Sequence, residues 1–352
     1  MAGAAGLSAD QIDIDLPALT ALTRIHHAYF LGLQLMVATR KGPEVMGEWM
    51  FRLFRRQHEE KFLSSFSKLG LDGLPDAVAC AQYHVLSNSV GGVAVEYMYE
   101  SDQKAWVRFR YPRWMFAGPT ICGVTPQASH GFLRGWYAHN GVSLNNPRLG
   151  FVCVSEDMTG EFGLCGYFFE YERDLNEAER LRYAKDERPP PYDAAAQPAP
   201  PADQWNETRL AKANRNYAVD YLRNGLAELA AVVGEEATGI GMLAAQLIGL
   251  NYYTDTAAEL EIEDAGIESA ARYLQRLFLA LGDEVTVRET QNGYVLEHNA
   301  LRVLRGLHGD ERELMSNCWQ AIWQGAMKSR REMLSLQVEA ADQGLNWRLM
   351  KF

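Results

Sequence analysis

The feature that most limits how this chain can fold is that it repeats itself. At an offset of 192 residues, KGPEVMGEWM (41–50) lies over VGEEATGIGM (233–242), which brings Gly42 onto Gly234, Glu44 onto Glu236, Gly47 onto Gly239 and Met50 onto Met242. Tyr29 falls on Tyr221 in the same register. At an offset of 190, Tyr83 meets Tyr273, Gly92 meets Gly282, Val95 meets Val285 and Gly135 meets Gly325. After a deletion in the second copy, Gly163-Leu164 falls on Gly344-Leu345. The matches keep their order along the chain, as a duplicated unit requires. Chance similarity between two domains of one class is the competing reading.

Between the copies lies ERPPPYDAAAQPAPPADQ, residues 187–204, where proline and alanine displace every apolar period and a semi-rigid, partly polyproline linker is expected. This divides the 352 residues into a first domain (1–186), the linker (187–204) and a second, diverged copy (205–352), each within the usual domain size. In the first copy Phe62, Phe66 and Leu69 form one apolar stripe at helical spacing. VAVEYMYESDQKAWVRFRY alternates about Asp102-Gln103 as a half-buried hairpin does. Residues 127–140 suit a helix, and GFVCVSEDMTGEFGLCGYFFEYE (150–172) reads as a closing hairpin. The predicted fold is α+β: two fused, similar domains, each an antiparallel sheet of hairpins packed with helices, arranged as a pseudo-dimer.

Composition narrows the function. Thirty-four basic against 45 acidic residues give a net charge of −11, and basic residues cluster only at Arg52, Arg55 and Arg56. A phosphate-tracking nucleic-acid surface is not expected. No apolar run reaches the roughly 18 residues of a membrane span. The first residues carry neither a signal-peptide core nor an Arg-rich transit pattern, so a cytoplasmic protein is expected. Five cysteines without a CxxC are expected to be reduced thiols. There is no P-loop, Gly-x-Ser-x-Gly elbow or dinucleotide fingerprint. His26-His27 and His58-Glu59-Glu60 lack the spacing of HExxH and are read as solvated helix faces. Glu96 and Glu100 share a strand face without an evident partner.

The stretch 132–175, with Gly135, Cys153, Gly163, Cys165, Phe168 and Phe169 in the corresponding places, resembles the 4-vinyl reductase domain superfamily. That superfamily includes small-molecule sensor domains, tetrapyrrole-pathway accessory proteins and the similar L-2-amino-thiazoline-4-carboxylate hydrolases. Tandem chains of this kind are also similar to proteins of bacterial operons that degrade N-methylated amines such as dimethylglycine. The resemblance implies a small organic ligand, or an accessory role as partner of an oxidoreductase subunit. The alternative it implies is a small-heterocycle hydrolase cleaving a C–N or C–S bond with Cys153 or Cys165 as nucleophile and His139 as base. Sensor members hold zinc with an acid three residues before the first cysteine. Gly150 stands there in this chain, so no metal is expected, nor any cofactor; a homo-oligomer is compatible with the sequence.

If the closing hairpin turns symmetrically at Thr159, Cys153 and Cys165 face each other directly on one side of the sheet, with Phe151, Tyr167 and Phe169 beside them. Trp114, Trp136, Tyr137 and His139, with Cys153, Cys165 and Tyr167, then form the candidate ligand-binding set. Such a pocket suits a small aromatic, heterocyclic or methylated cationic ligand. The alternative is that these aromatics are core and His139 is a solvated helix end. Because the second copy carries Val338 and Asn346 where the first has its cysteines, any function is expected in the first domain.

Overall fold

A computed structural model describes residues 15–90, 92–110, 114–158, 162–199, 206–342 and 344–351. The chain begins with α1 (Leu16–Lys41), whose start is fixed by Asp15: its carboxylate accepts from the Ala18 amide at 3.0 Å, satisfying a donor that the helix leaves unpaired. Gly42, at φ +85°, turns the chain into α2 (Pro43–Phe66), and α3 (Asp76–Val90) follows. Next come the hairpin β1 (Val95–Ser101) and β2 (Lys104–Phe109), α4 (Gln127–Gly135) and the short α5 (Asn140–Ser143). The first half closes with β3 (Leu149–Ser155), β4 (Cys165–Glu170) and β5 (Leu181–Tyr183).

The same order then recurs. Helices α6 (Glu207–Val233), α7 (Glu236–Glu259) and α8 (Ile267–Leu281) precede the hairpin β6 (Glu284–Thr290) and β7 (Gly293–Asn299), then α9 (Gly309–Lys328) and the hairpin β8 (Leu334–Ala341) and β9 (Gly344–Lys351). The sheets run β1-β2-β4-β3-β5 and β6-β7-β9-β8, so in each the last long strand lies inside, between the two hairpins. All pairings are antiparallel except β3 with β5. The architecture is therefore mixed α+β with two separate, largely antiparallel sheets. Among the described residues no helix is long and apolar enough to cross a membrane.

The aligned glycines Gly135 and Gly325 explain themselves here. A Cβ at Gly135 would sit 2.5 Å from the Phe51 carbonyl oxygen, and one at Gly325 would overlap the Gln246 carbonyl. Each lets α4 or α9 press its backbone onto α2 or α7, an approach that no side chain permits.

The two halves share one interior. Helix α1 lies on α6, α7 and α8, and α2 lies on α6. A single buried cluster runs from Ala18 in the first helix to Leu349 in the last strand. Buried polar groups cross it: Tyr29 Oη donates to the Gly241 carbonyl at 3.0 Å and Trp49 Nε1 to the Gly225 carbonyl at 2.7 Å. His26 and His58, read above as solvated, are 0% and 1% exposed. His26 Nε2 accepts from Trp319 Nε1 at 3.2 Å, and His58 bonds Ser143 at 2.8 Å. In each ring Nε2 has a polar partner from a distant element, while Nδ1 is buried without a hydrogen-bond partner among the described residues.

The Pro/Ala-rich segment has no regular secondary structure in its described part, but it is not a free spacer. The chain through residues 184–199 crosses the outer face of the first sheet, where Met98, Trp106, Val152, Val154, Cys165 and Tyr167 form a small buried cluster with Ala184 against it. Glu187 accepts from Tyr167 Oη at 2.8 Å and from Lys104, whose ammonium lies 4.2 Å from the Tyr167 ring centroid. Gln197 then pairs with the edge of β1 as another strand would. Its Oε1 accepts from the Tyr97 amide at 2.8 Å and its Nε2 donates to the Tyr97 carbonyl at 2.7 Å.

Candidate functional site

The seven candidate residues do not form one pocket. In the closing hairpin Cys153 pairs with Gly166, and after a bulge Ser155 pairs with Cys165. The register is thus one residue away from the symmetric turn. Because side chains alternate, that slip sends the cysteines to opposite faces of the sheet. Cys153 packs among Phe151, Phe168 and the helices, whereas Cys165 joins Trp106 and Tyr167 beneath the segment 184–199. The expectation that they face each other on one side is corrected accordingly. Burial raises both thiols, Cys165 to about 12. Trp114 opens a short 3₁₀ turn, and its side chain lies outside the described residues.

Tyr137 is core: it is 1% exposed, its ring 3.9 Å from that of His84 and 4.6 Å from that of Phe151. Trp136 and His139 each line a space, and the two spaces are different.

Trp136 lines a cavity of about 510 Å³ enclosed by α2, α3, α4 and α6. Phe54, Phe132, Tyr83, Tyr217 and Tyr221 supply its aromatic wall, with Lys61, Lys68, Ser87, Asn88 and Asp220 among the polar residues beside them. The rings meet at steep or tilted angles: Phe54 with Tyr221 at 5.8 Å, Tyr83 with Trp136 at 6.4 Å, Tyr217 with Tyr221 at 4.7 Å. Their hydrophobic bodies pack while their polar tips stay addressable. Tyr217 Oη donates to Tyr221 Oη at 3.1 Å, and Lys61 is ion-paired with Asp220 at the rim. The indole N–H of Trp136 is buried without a hydrogen-bond partner among the described residues. His84, also in the wall, shares a hydrogen bond with Asn140 at 3.1 Å and stacks parallel to Phe168. Its burial, and then His58 nearby, hold its pKa far below the ordinary histidine value, so it is a neutral imidazole at any physiological pH.

His139 lines a larger groove, about 1200 Å³, between α2 and α4 on one side and residues 175–183 on the other. Its pKa is pulled down to about 4, first by burial and then by Arg55 and Arg180. His130, at the same groove, contacts the buried carboxylate of Glu156 at 2.8 Å.

Sequence reasoning missed His84, the tyrosines of α6 and the three arginines of the groove, because these come from elements up to about 160 residues apart. One signal for the cavity was available in the repeat. His84, Ser87 and Asn88 align, at the offset of 190, with Leu274, Leu277 and Phe278. Glu96 and Glu100, left unpartnered above, are held by structural neighbours: Glu96 by Arg108 at 2.6 Å and Arg110 at 2.9 Å, Glu100 by Trp106 Nε1 at 2.7 Å. Among the described residues no three His, Cys, Asp or Glu side chains assemble as metal ligands. No family model, curated protein or solved structure matches this chain.

Proposed function

We propose that the chain is a tandem duplication of one α+β unit, fused as a pseudo-dimer, and that its first copy binds a small organic molecule in the aromatic cavity. The observation that carries this reading is the contrast between the copies. At the positions aligned with His84, Ser87, Asn88 and Trp136, the second half has Leu274, Leu277, Phe278 and Ala326. Those residues are 0%, 0%, 0% and 1% exposed, part of a solid core with Trp319 and Trp323. Where the second half is filled, the first half is open and lined with polar tips. Keeping a cavity of that size forgoes apolar burial worth about 25 cal/mol per Å², which selection for stability alone removes.

The lining suits a compact ligand with an aromatic or methylated cationic body. Five aromatic rings offer stacking and cation–π faces, and Ser87 and Asn88 add polar groups to the lining. An N-methylated amine fits these requirements, in line with an accessory protein serving an oxidoreductase that demethylates such compounds. The hydrolase alternative is weakened by its nucleophiles. Cys153 and Cys165 are 1% and 0% exposed, and burial keeps both as thiols, whereas catalysis needs an accessible thiolate.

The test is ligand-dependent thermal stabilisation. A ligand that binds only the folded chain adds about 2.7 kcal/mol at one hundred times its Kd, a readily measured rise in Tm. Dimethylglycine, trimethylamine, glycine betaine, phenol and indole form the first panel. A positive result is a saturable rise lost in Asn88→Phe. The reading fails if none of the five shifts Tm, or if the shift persists in that variant.

A further inference from the structure

We infer that the groove beside α4 is a second binding site, for an oxyanion carried on an apolar body: an organic carboxylate or a phosphate monoester. Arg55 from α2, Arg134 from α4 and Arg180 from the 3₁₀ turn Glu177–Arg180 all line it. None of the three pairs with a carboxylate among the described residues. Arg55 donates instead to the carbonyls of Gly135 at 3.0 Å and Arg134 at 3.4 Å, and Arg180 Nη1 donates to those of Asn146 at 3.2 Å and Leu149 at 3.0 Å. Carbonyls orient a guanidinium without cancelling its charge.

Arg180 is built into place. It is only 9% exposed, and a Cβ on Gly141 would stand 2.7 Å from its Nη1, so the glycine keeps the room that the guanidinium occupies. The turn that presents it is locked by reciprocal bonds between Asn176 and Glu179. Opposite, Arg55 and Arg134 both lie over the ring of Phe51, at 5.2 and 4.8 Å from its centroid. Arg55, held by its carbonyls, and the exposed Arg134 on one aromatic floor, with Arg180 across the groove, offer the planar forks by which arginine holds carboxylate or phosphate.

The groove also contains Glu44, Glu48 and Glu177. Glu48 lies seven residues before Arg55 along α2, about 10 Å away, so its charge and that of Glu44 sit at the far end. Glu177 is the near one, and it is exposed; it and Glu59 act on Arg55 through space, and Asp174 acts on Arg180, so the arginines are partly offset without being ion-paired. The groups facing His139 are His58, Arg55, Arg180 and Glu177, on balance cationic. The second half lacks two of these guanidiniums: Arg55 and Arg134 align with Leu247 and Gln324. Phe51, Val142, Leu175, Leu181 and Tyr183 give the apolar body its surface.

Inorganic phosphate, phenyl phosphate and benzoate are the probes, titrated into the full chain at fixed ionic strength by calorimetry and by the NMR resonance of the His139 ring. Saturable binding is expected, with phenyl phosphate tighter than inorganic phosphate, and the His139 titration midpoint rises when the groove is filled. Preference for phenyl phosphate or for benzoate tells which oxyanion the site is shaped for. Arg134→Gln and Arg55→Gln each weaken binding about tenfold or more; Arg134 is exposed, so its variant keeps the fold. The inference is overturned if none of the probes binds saturably, or if the Arg55→Gln/Arg134→Gln double variant binds them as the native chain does.

Discussion

Trp136 and His139 stand three residues apart yet wall two different spaces, and the ring of His58 lies edge-on to both, at 5.6 and 5.1 Å between centroids. A buried imidazole thus touches one wall residue of each space, kept neutral by burial first and by His139 and Arg55 beside it, its pKa lowered to about 3.

Acid should therefore loosen this protein well above the range where carboxylates titrate. His26 and His58 are held at about 3 in the fold against about 6.5 in an unfolded chain. Their folded values are depressed, so the unfolded chain takes up these protons first. Stability is unaffected above about pH 6.5 and falls as pH drops below it, by about 1.4 kcal/mol per pH unit for each such histidine. Urea unfolding at pH 7.5, 6.0 and 5.0 measures the slope, and His58→Asn reduces it. Equal stability at all three values would contradict the neutral, buried assignment.

Filling the cavity with its own repeat's residue should stabilise the chain. Ser87→Leu places the residue of position 277 beside the rings of the cavity; burial of the new side chain outweighs the lost Ser87 hydrogen bond to Tyr83 and leaves a net gain of up to about 1 kcal/mol. Chemical denaturation reads this directly. A loss of stability instead would mean that the space is already committed to another packing.

The five cysteines should divide sharply in reactivity. Cys122 is exposed, while Cys80, Cys153, Cys165 and Cys318 are buried, with raised pKa values that keep them protonated. A thiol reagent under native conditions labels one cysteine rapidly, and Cys122→Ser removes that phase. Rapid labelling of Cys153 or Cys165, located by mass spectrometry, would reopen the nucleophile reading. Oxidation should give no Cys153–Cys165 crosslink, since the sheet stands between them.

Gln197 should act as a removable guard on an edge strand. Gln197→Ala deletes both bonds to Tyr97, at a net cost of about 1 to 2 kcal/mol, and bares the β1 edge to another strand. Hydrogen exchange at the Tyr97 amide is expected to quicken at least tenfold, with self-association rising at high concentration. Unchanged exchange would show that the edge is protected by other means.

What could be read from the sequence followed from local chemistry. Gly42 and Gly234 showed as a matched pair in the repeat, and in the structure each turns the chain between two helices at positive φ, a conformation that other residues resist. The hairpins announced themselves by alternation. The register of the closing hairpin did not, because a bulge between Cys153 and Ser155 is invisible to a count that assumes symmetry. The burial of His26 and His58 was hidden for a different reason. A histidine on a helix looks solvated until its partner is known, and the partners, Trp319 and Ser143, lie 293 and 85 residues away. The cavity belongs to the same class: four helices make it, and none carries its signature alone.

The interior shared by the two halves has a consequence for how this chain can change over time. Tyr29 reaches Gly241 and Trp49 reaches Gly225, so each copy completes the other's core and neither can be lost or exchanged independently. A substitution at this seam therefore reaches both halves at once, wherever in the sequence it falls.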